Sequence, residues 1–132
     1  MMKLNPRELE VLKILHESDR PLTSTEIVNS GAELTQSTVQ AVLRKLLATE
    51  LVEVRGVTHS GNVLSRTFGA TDKSKEILTQ RFLEELRNFR TIINKVEVLS
   101  GMLEMDKDTP GIGKEVDELV KYLNAFKAKL KK

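Results

Sequence analysis

Cysteine is absent from this 132-residue chain, which excludes disulfides, iron–sulfur clusters, thiolate zinc sites and cysteine nucleophiles together. Imidazoles are scarce as well. His16 and His59 stand at unrelated positions, so no histidine-rich metal cluster or His-centred triad is patterned, and neither a cofactor nor an enzymatic role is expected. Tryptophan is missing and aromatic residues make up only 4%. No apolar run approaches the roughly 20 residues that cross a bilayer, and the start, Met1 to Pro6, lacks the apolar core of a signal peptide. A cytoplasmic protein without a membrane partner is therefore expected. Seven Gly and three Pro give no fibrous or disordered bias, and 39% hydrophobic with 30% charged residues is the composition of a chain that folds. The length suits one compact domain or a small domain with a helical appendage.

Local signals order the chain. Asn5-Pro6-Arg7-Glu8 opens a first helix, with Asn5 as N-cap, Pro6 at the first helical position and Glu8 placed to reach back to the cap amide. Leu9, Val11, Leu12, Leu15 and His16 follow at helical spacing until Ser18-Asp19-Arg20-Pro21. Thr23 to Glu26 repeats the capping box, and Leu22 can staple onto Ile27. Gly31 ends this short helix where a left-handed residue is wanted. A third helix runs from Thr35 to about Thr49 with Val39, Val42, Leu43 and Leu46 as its apolar stripe. The period then falls to two, Val52, Val54 and Val57 alternating with Glu53 and Arg55, before the turn cluster Thr58 to Asn62 and a return run from Val63 to Phe68. Leu64 and Phe68 share a parity with Arg66, so either the arginine flanks the core edge or the return strand carries a bulge.

Beyond Thr71, a plausible cap, Phe82, Leu86, Phe89, Ile93, Val96 and Leu103 recur at heptad-like steps through one long helical stretch, weakened near Gly101 and broken by Asp106 to Gly111. A last helix carries Ile112, Val116, Leu119, Leu123, Phe126 and Leu130 on one side, and the basic run 127–132 suits its C-terminal dipole. The expected fold is thus mainly α with a small β-hairpin: a winged helix-turn-helix over 1–70, then a C-terminal helical dimerisation segment over 71–132.

Function is sought on the surface that the core leaves free. With Val39, Val42, Leu43 and Leu46 turned inward, helical geometry puts Ser37, Ala41, Arg44 and Ala48 on the opposite side, flanked by Thr38, Gln40 and Lys45. Small residues let a helix sit deep in a major groove, glutamine can pair with an adenine edge, and arginine can make two bonds to a guanine. Ser37, Thr38, Gln40, Ala41 and Arg44 are the candidate base readers. Gln36, Lys45, Arg55 and Arg66 are the candidates for the phosphate backbone, and a hairpin tip around His59 with those arginines at its base can lie along phosphates or in a minor groove. Residues 1–70 hold eight basic and eight acidic side chains, but 34–71 hold four bases against two acids. The groove side is locally positive. A polar helix face is also what any solvated helix shows, so a protein-interaction adaptor without specific DNA binding is the alternative.

In the tail, Phe82, Leu86, Phe89, Ile93 and Val96, with Val116, Leu119, Leu123, Phe126 and Leu130, are the candidate dimerisation residues. Six seam side chains in the last helix represent on the order of 10 kcal/mol of gross transfer free energy. They can pack on each other within one chain, on a second copy, or both. A two-fold dimer would present two reading helices to the half-sites of a palindrome in double-stranded DNA.

The segment from Leu4 to Leu15, with Pro21-Leu22-Thr23-Ser24-Thr25-Glu26-Ile27, resembles the BlaI/MecI/CopY penicillinase-repressor family. Ser37 to Leu47, running into Leu51-Val52-Glu53-Val54, resembles that family's recognition helix and first wing strand, and Arg66-Thr67-Phe68 resembles its wing exit in some members. The resemblance covers about 3–70 and implies a homodimeric repressor of inverted-repeat promoters, with Thr38, Gln40, Ala41 and Arg44 on the DNA-facing helix. Leu9 and His16 stand where many members carry tryptophan, which marks a divergent member. The cysteine cluster of the copper-responsive branch is missing, which excludes thiolate copper sensing. No small-molecule or protein effector is read from these residues.

Overall fold

The structure, a computed structural model, describes residues 3–131; Met1, Met2 and Lys132, and with them the last residue of the basic end, lie outside the described residues, as does the side chain of Ser60. The elements run α1 (Pro6–Glu17), α2 (Ser24–Ser30), α3 (Gln36–Ala48), β1 (Val52–Ser60), β2 (Val63–Ala70), α4 (Asp72–Asn88), α5 (Lys95–Met105) and α6 (Ile112–Leu130). No described helix is long and apolar enough to cross a membrane. The chain divides into two compact units, one reaching to Glu84 and one beginning at Glu85.

In the first unit the two capping boxes form as their residue types require. Asn5 Oδ1 accepts from the Glu8 amide at 2.9 Å while Glu8 Oε1 accepts from the Asn5 amide at 2.8 Å. Thr23 and Glu26 exchange the same pair of bonds at 3.2 and 3.0 Å. Gly31 differs from its expected left-handed cap. Its φ of −90° and ψ of 159° are extended, and what the position requires is space, since a Cβ there would collide with the Leu34 side chain.

The end of α3 holds a cap that the sequence pattern did not announce. The Leu51 amide bonds the Leu46 carbonyl at 2.9 Å and the Glu50 amide bonds the Leu47 carbonyl at 3.1 Å, with Glu50 left-handed at φ 63°. This is a Schellman arrangement, and its apolar partners Leu46 and Leu51 are fully buried. Val11, Leu12, Leu15, Ile27, Val39, Leu43, Val52 and Phe68 complete the centre of the core.

The hairpin departs from strict alternation. Val52 is buried, but Val54 and Val57 are exposed; Arg55 forms a bulge between the pairs Val54 with Phe68 and Gly56 with Thr67, which keeps Val57 on the face of Val54 although their spacing is odd. The irregularity thus lies in β1 rather than in the return strand, and Leu64 does not join Phe68 in the core. The turn narrows to Gly61-Asn62, with glycine at the first central position and φ 65°. A third, one-residue strand supports the base: Leu22 and Phe68 exchange backbone bonds of 3.0 and 2.7 Å.

α4 starts after Thr71, whose hydroxyl accepts from the Ser74 amide at 3.3 Å. Ile77 and Leu78 pack against the core, and Arg81 Nη1 bonds the Leu4 carbonyl at 2.9 Å. The single long stretch expected here is in fact two helices. Asn94 Oδ1 accepts from the Val96 and Glu97 amides at 2.8 and 3.3 Å and starts α5 afresh, so Phe89 and Ile93 lie in the connection and the heptad-like seam is interrupted. Gly101 sits inside α5 without ending it. In the second unit Val116 and Leu119 are half-buried, whereas Leu123, Phe126 and Leu130 are exposed.

Candidate nucleic-acid interface

α3 is held by its aliphatic side, and this sets what it can show. Ser37, Gln40, Ala41 and Arg44 are exposed and Thr38 is half-buried, while none of the thirteen residues of α3 is acidic. At its start the Thr35 hydroxyl accepts from the Thr38 amide at 3.2 Å and lies 2.9 Å from the Thr38 hydroxyl. Gln36 Nε2 donates to Ser24 Oγ at 2.9 Å, which ties the start of α3 to the start of α2.

One groove of about 440 Å³ brings the helix and the hairpin together: Gln40 and Arg44 from α3, Ser24 from α2, and Ser65 and Arg66 from β2 surround a floor of Leu43, Leu47 and Phe68. Its lining contains two guanidinium groups and no carboxylate. Arg66 is oriented by stacking over Phe68, its guanidinium carbon 5.3 Å from the ring centroid. Phe68 is itself fixed by the bridge to Leu22. Ser24 and Ser65 were not singled out in the sequence, because only that bridge carries α2 and β2 to the same groove.

Three other candidates are placed elsewhere. Lys45 Nζ lies 2.6 Å from Glu8 Oε2, and the Glu8 side chain is only 2% exposed. A buried carboxylate needs such a partner, and Lys45, its side chain still 51% exposed, supplies it from α3. Arg55, turned by the bulge, bonds Glu53 Oε1 at 3.1 Å and the Ala70 carbonyl at 2.6 Å, in space that the missing side chain of Gly69 leaves open. His59, opposite Leu64, borders a separate cleft with Thr23, Thr25 and Glu26 at the start of α2.

Ser74 Oγ donates to the Thr71 carbonyl at 2.6 Å, so its contact of 2.7 Å with His16 has the imidazole Nε2–H as donor. Burial, then the charges of Lys75 and Arg55, hold the His16 pKa below its ordinary value. At the start of α2, hydrogen bonds from Arg20 and from the Thr23 amide pull the Glu26 carboxyl down to about 2. No group of three or more metal-ligating side chains occurs among the described residues.

No family model and no curated protein matches the chain. Solved structures share its fold. A MepR variant from a multidrug-resistant S. aureus clinical isolate superposes with a TM-score of 0.53 at 19% identity, over 83% of this chain and 80% of that one. A second S. aureus MepR variant, bound to an oligodeoxyribonucleotide, gives 0.50 at 19% over 79% and 76%. A Lactococcus lactis ZitR variant gives 0.50 at 18% over 98% and 77%. The fold is a winged helix-turn-helix followed by a helical segment.

Proposed function

We propose that this chain is a winged-helix transcriptional repressor that binds an inverted-repeat operator in double-stranded DNA as a homodimer. One observation carries the reading: the free flank of α3 is acid-free and opens onto Arg66 across a groove lined by two guanidinium groups. The shared fold of a MepR variant that is bound to an oligodeoxyribonucleotide supports DNA as the partner. The resemblance of about 3–70 to the penicillinase repressors supports repression and two-fold symmetry. Ser37, Thr38, Gln40, Ala41 and Arg44 read bases, while Gln36 and Arg66 hold the backbone. Lys45 and Arg55, which also hold internal partners, and His59, in β1 beside the hairpin tip, are the further candidates for the phosphate backbone.

Selection of bound sequences from a random duplex pool tests this. A palindrome is expected, with Arg44→Ala losing about 1–3 kcal/mol on the selected duplex and relaxing one position of it. Arg66→Ala instead weakens all sequences alike and reduces the salt slope by roughly one. Failure to enrich any motif, or unchanged binding by Arg44→Ala, overturns the proposal.

A further inference from the structure

The cations of the first unit differ in what holds them. Arg44 and Arg66 line a groove that contains no carboxylate. Lys45, the next residue along α3, has one: its Nζ lies 2.6 Å from Glu8 Oε2. The partners are unequal, the lysine half-exposed and the glutamate buried. Glu8 Oε1 is already engaged by the Asn5 amide at 2.8 Å, so the ion pair falls to its Oε2. An ionised carboxylate so deeply buried is costly unless it keeps its partner.

From this pair, and resting on the DNA-binding reading above, we infer that Glu8 competes with the DNA backbone for Lys45 and so holds down the part of the affinity that does not depend on sequence. A lysine gains affinity by displacing counterions from a phosphate, which is worth roughly several-fold per contact near 0.1 M salt. Leaving Glu8 for that phosphate strands a buried charge. Breaking a buried pair costs more than about a hundredfold in equilibrium constant, a penalty that the half-exposure of the lysine lessens. The internal partner therefore keeps the ammonium, and a lysine neutralised by its own carboxylate brings the duplex no net charge. Arg44 and Arg66, which face no acid in the groove, are left to carry the contact, one to a base edge and one to the backbone.

The test uses the full chain in salt titrations on two duplexes, the one recovered from the random pool and a shuffled version of it. Glu8→Gln keeps a side-chain oxygen for the Asn5 amide while removing the charge that holds Lys45. It should bind both duplexes roughly fivefold more tightly at 0.1 M salt, with the salt slope steeper by about one. A freed lysine on a phosphate reads no base, so the two duplexes gain alike. Adding Lys45→Gln, which restores the net charge of the pair to its original value, abolishes the gain. Glu17→Gln, which removes one charge from the exposed pair with Lys13 on α1, leaves the slope unchanged and controls for net charge. Thermal melts of each variant check that it is folded at the assay temperature. A wild-type slope in folded Glu8→Gln, an equal steepening in Glu17→Gln, or a double variant whose slope is shallower than the unsubstituted protein's by about one overturns the competition while leaving DNA recognition in place. Absence of binding by the unsubstituted chain to any duplex overturns both.

Discussion

His16 was legible as a residue at the end of a helix but not as half of a contact, because its partner Ser74 lies 58 positions away on α4. That contact makes a pH prediction. With the folded pKa below the ordinary 6.5, the unfolded chain takes up the proton first as pH falls, so stability that is complete above about pH 6.5 is lost as pH drops toward the lowered folded value. Thermal melts from pH ~8 to ~5 should show this slope in the wild type and lose it in His16→Gln, whose amide can still donate to Ser74. Glu26 acts in a separate window, its contribution fading between about 4.5 and about 2. An identical slope in the variant would assign the loss to other groups. The same limit on local reading applies to Lys45, whose place on the helix wheel was right while its partner Glu8, on a different helix, was invisible.

Among the elements, the three short helices and the hairpin could be read because capping boxes, the 3.6-residue stripe and the shift to period two are each encoded within a few neighbours. The bulge at Arg55 and the one-residue strand at Leu22 could not, since both arise from pairing between distant segments. Apolar spacing runs on across the 89–94 connection, so the pattern alone reads as one helix, although the side chain of Asn94 caps a new one. The Schellman end of α3 offers a test at this scale. Glu50 holds φ 63°, a conformation costing a non-glycine residue about 1 kcal/mol, and its ion pair with Lys73 at 3.7 Å is solvent-exposed and weak. Glu50→Gly should raise stability by about 0.5–1 kcal/mol and Tm by a few degrees without altering DNA affinity. A lower Tm would show that the ion pair outweighs the backbone strain.

For the whole molecule, the question is what covers the second unit. Along α6, Val120, Leu123, Phe126 and Leu130 are between 43% and 68% exposed, a stripe that a lone chain leaves in water. A second copy is the proposed cover. Leu123→Glu with Phe126→Glu in the full chain should sediment as a monomer and bind the palindrome poorly, whereas the wild type sediments as a dimer; a dimeric double variant would assign the pairing to other surfaces. Within the first unit, the ion pair of Lys45 with buried Glu8 bears on redesign. Because a buried carboxylate at the front of α1 takes Lys45 as its partner, transplanting residues 35–49 onto another scaffold to change sequence preference would carry the lysine but not the group that holds its ammonium. A respecified protein has to inherit the glutamate along with the helix.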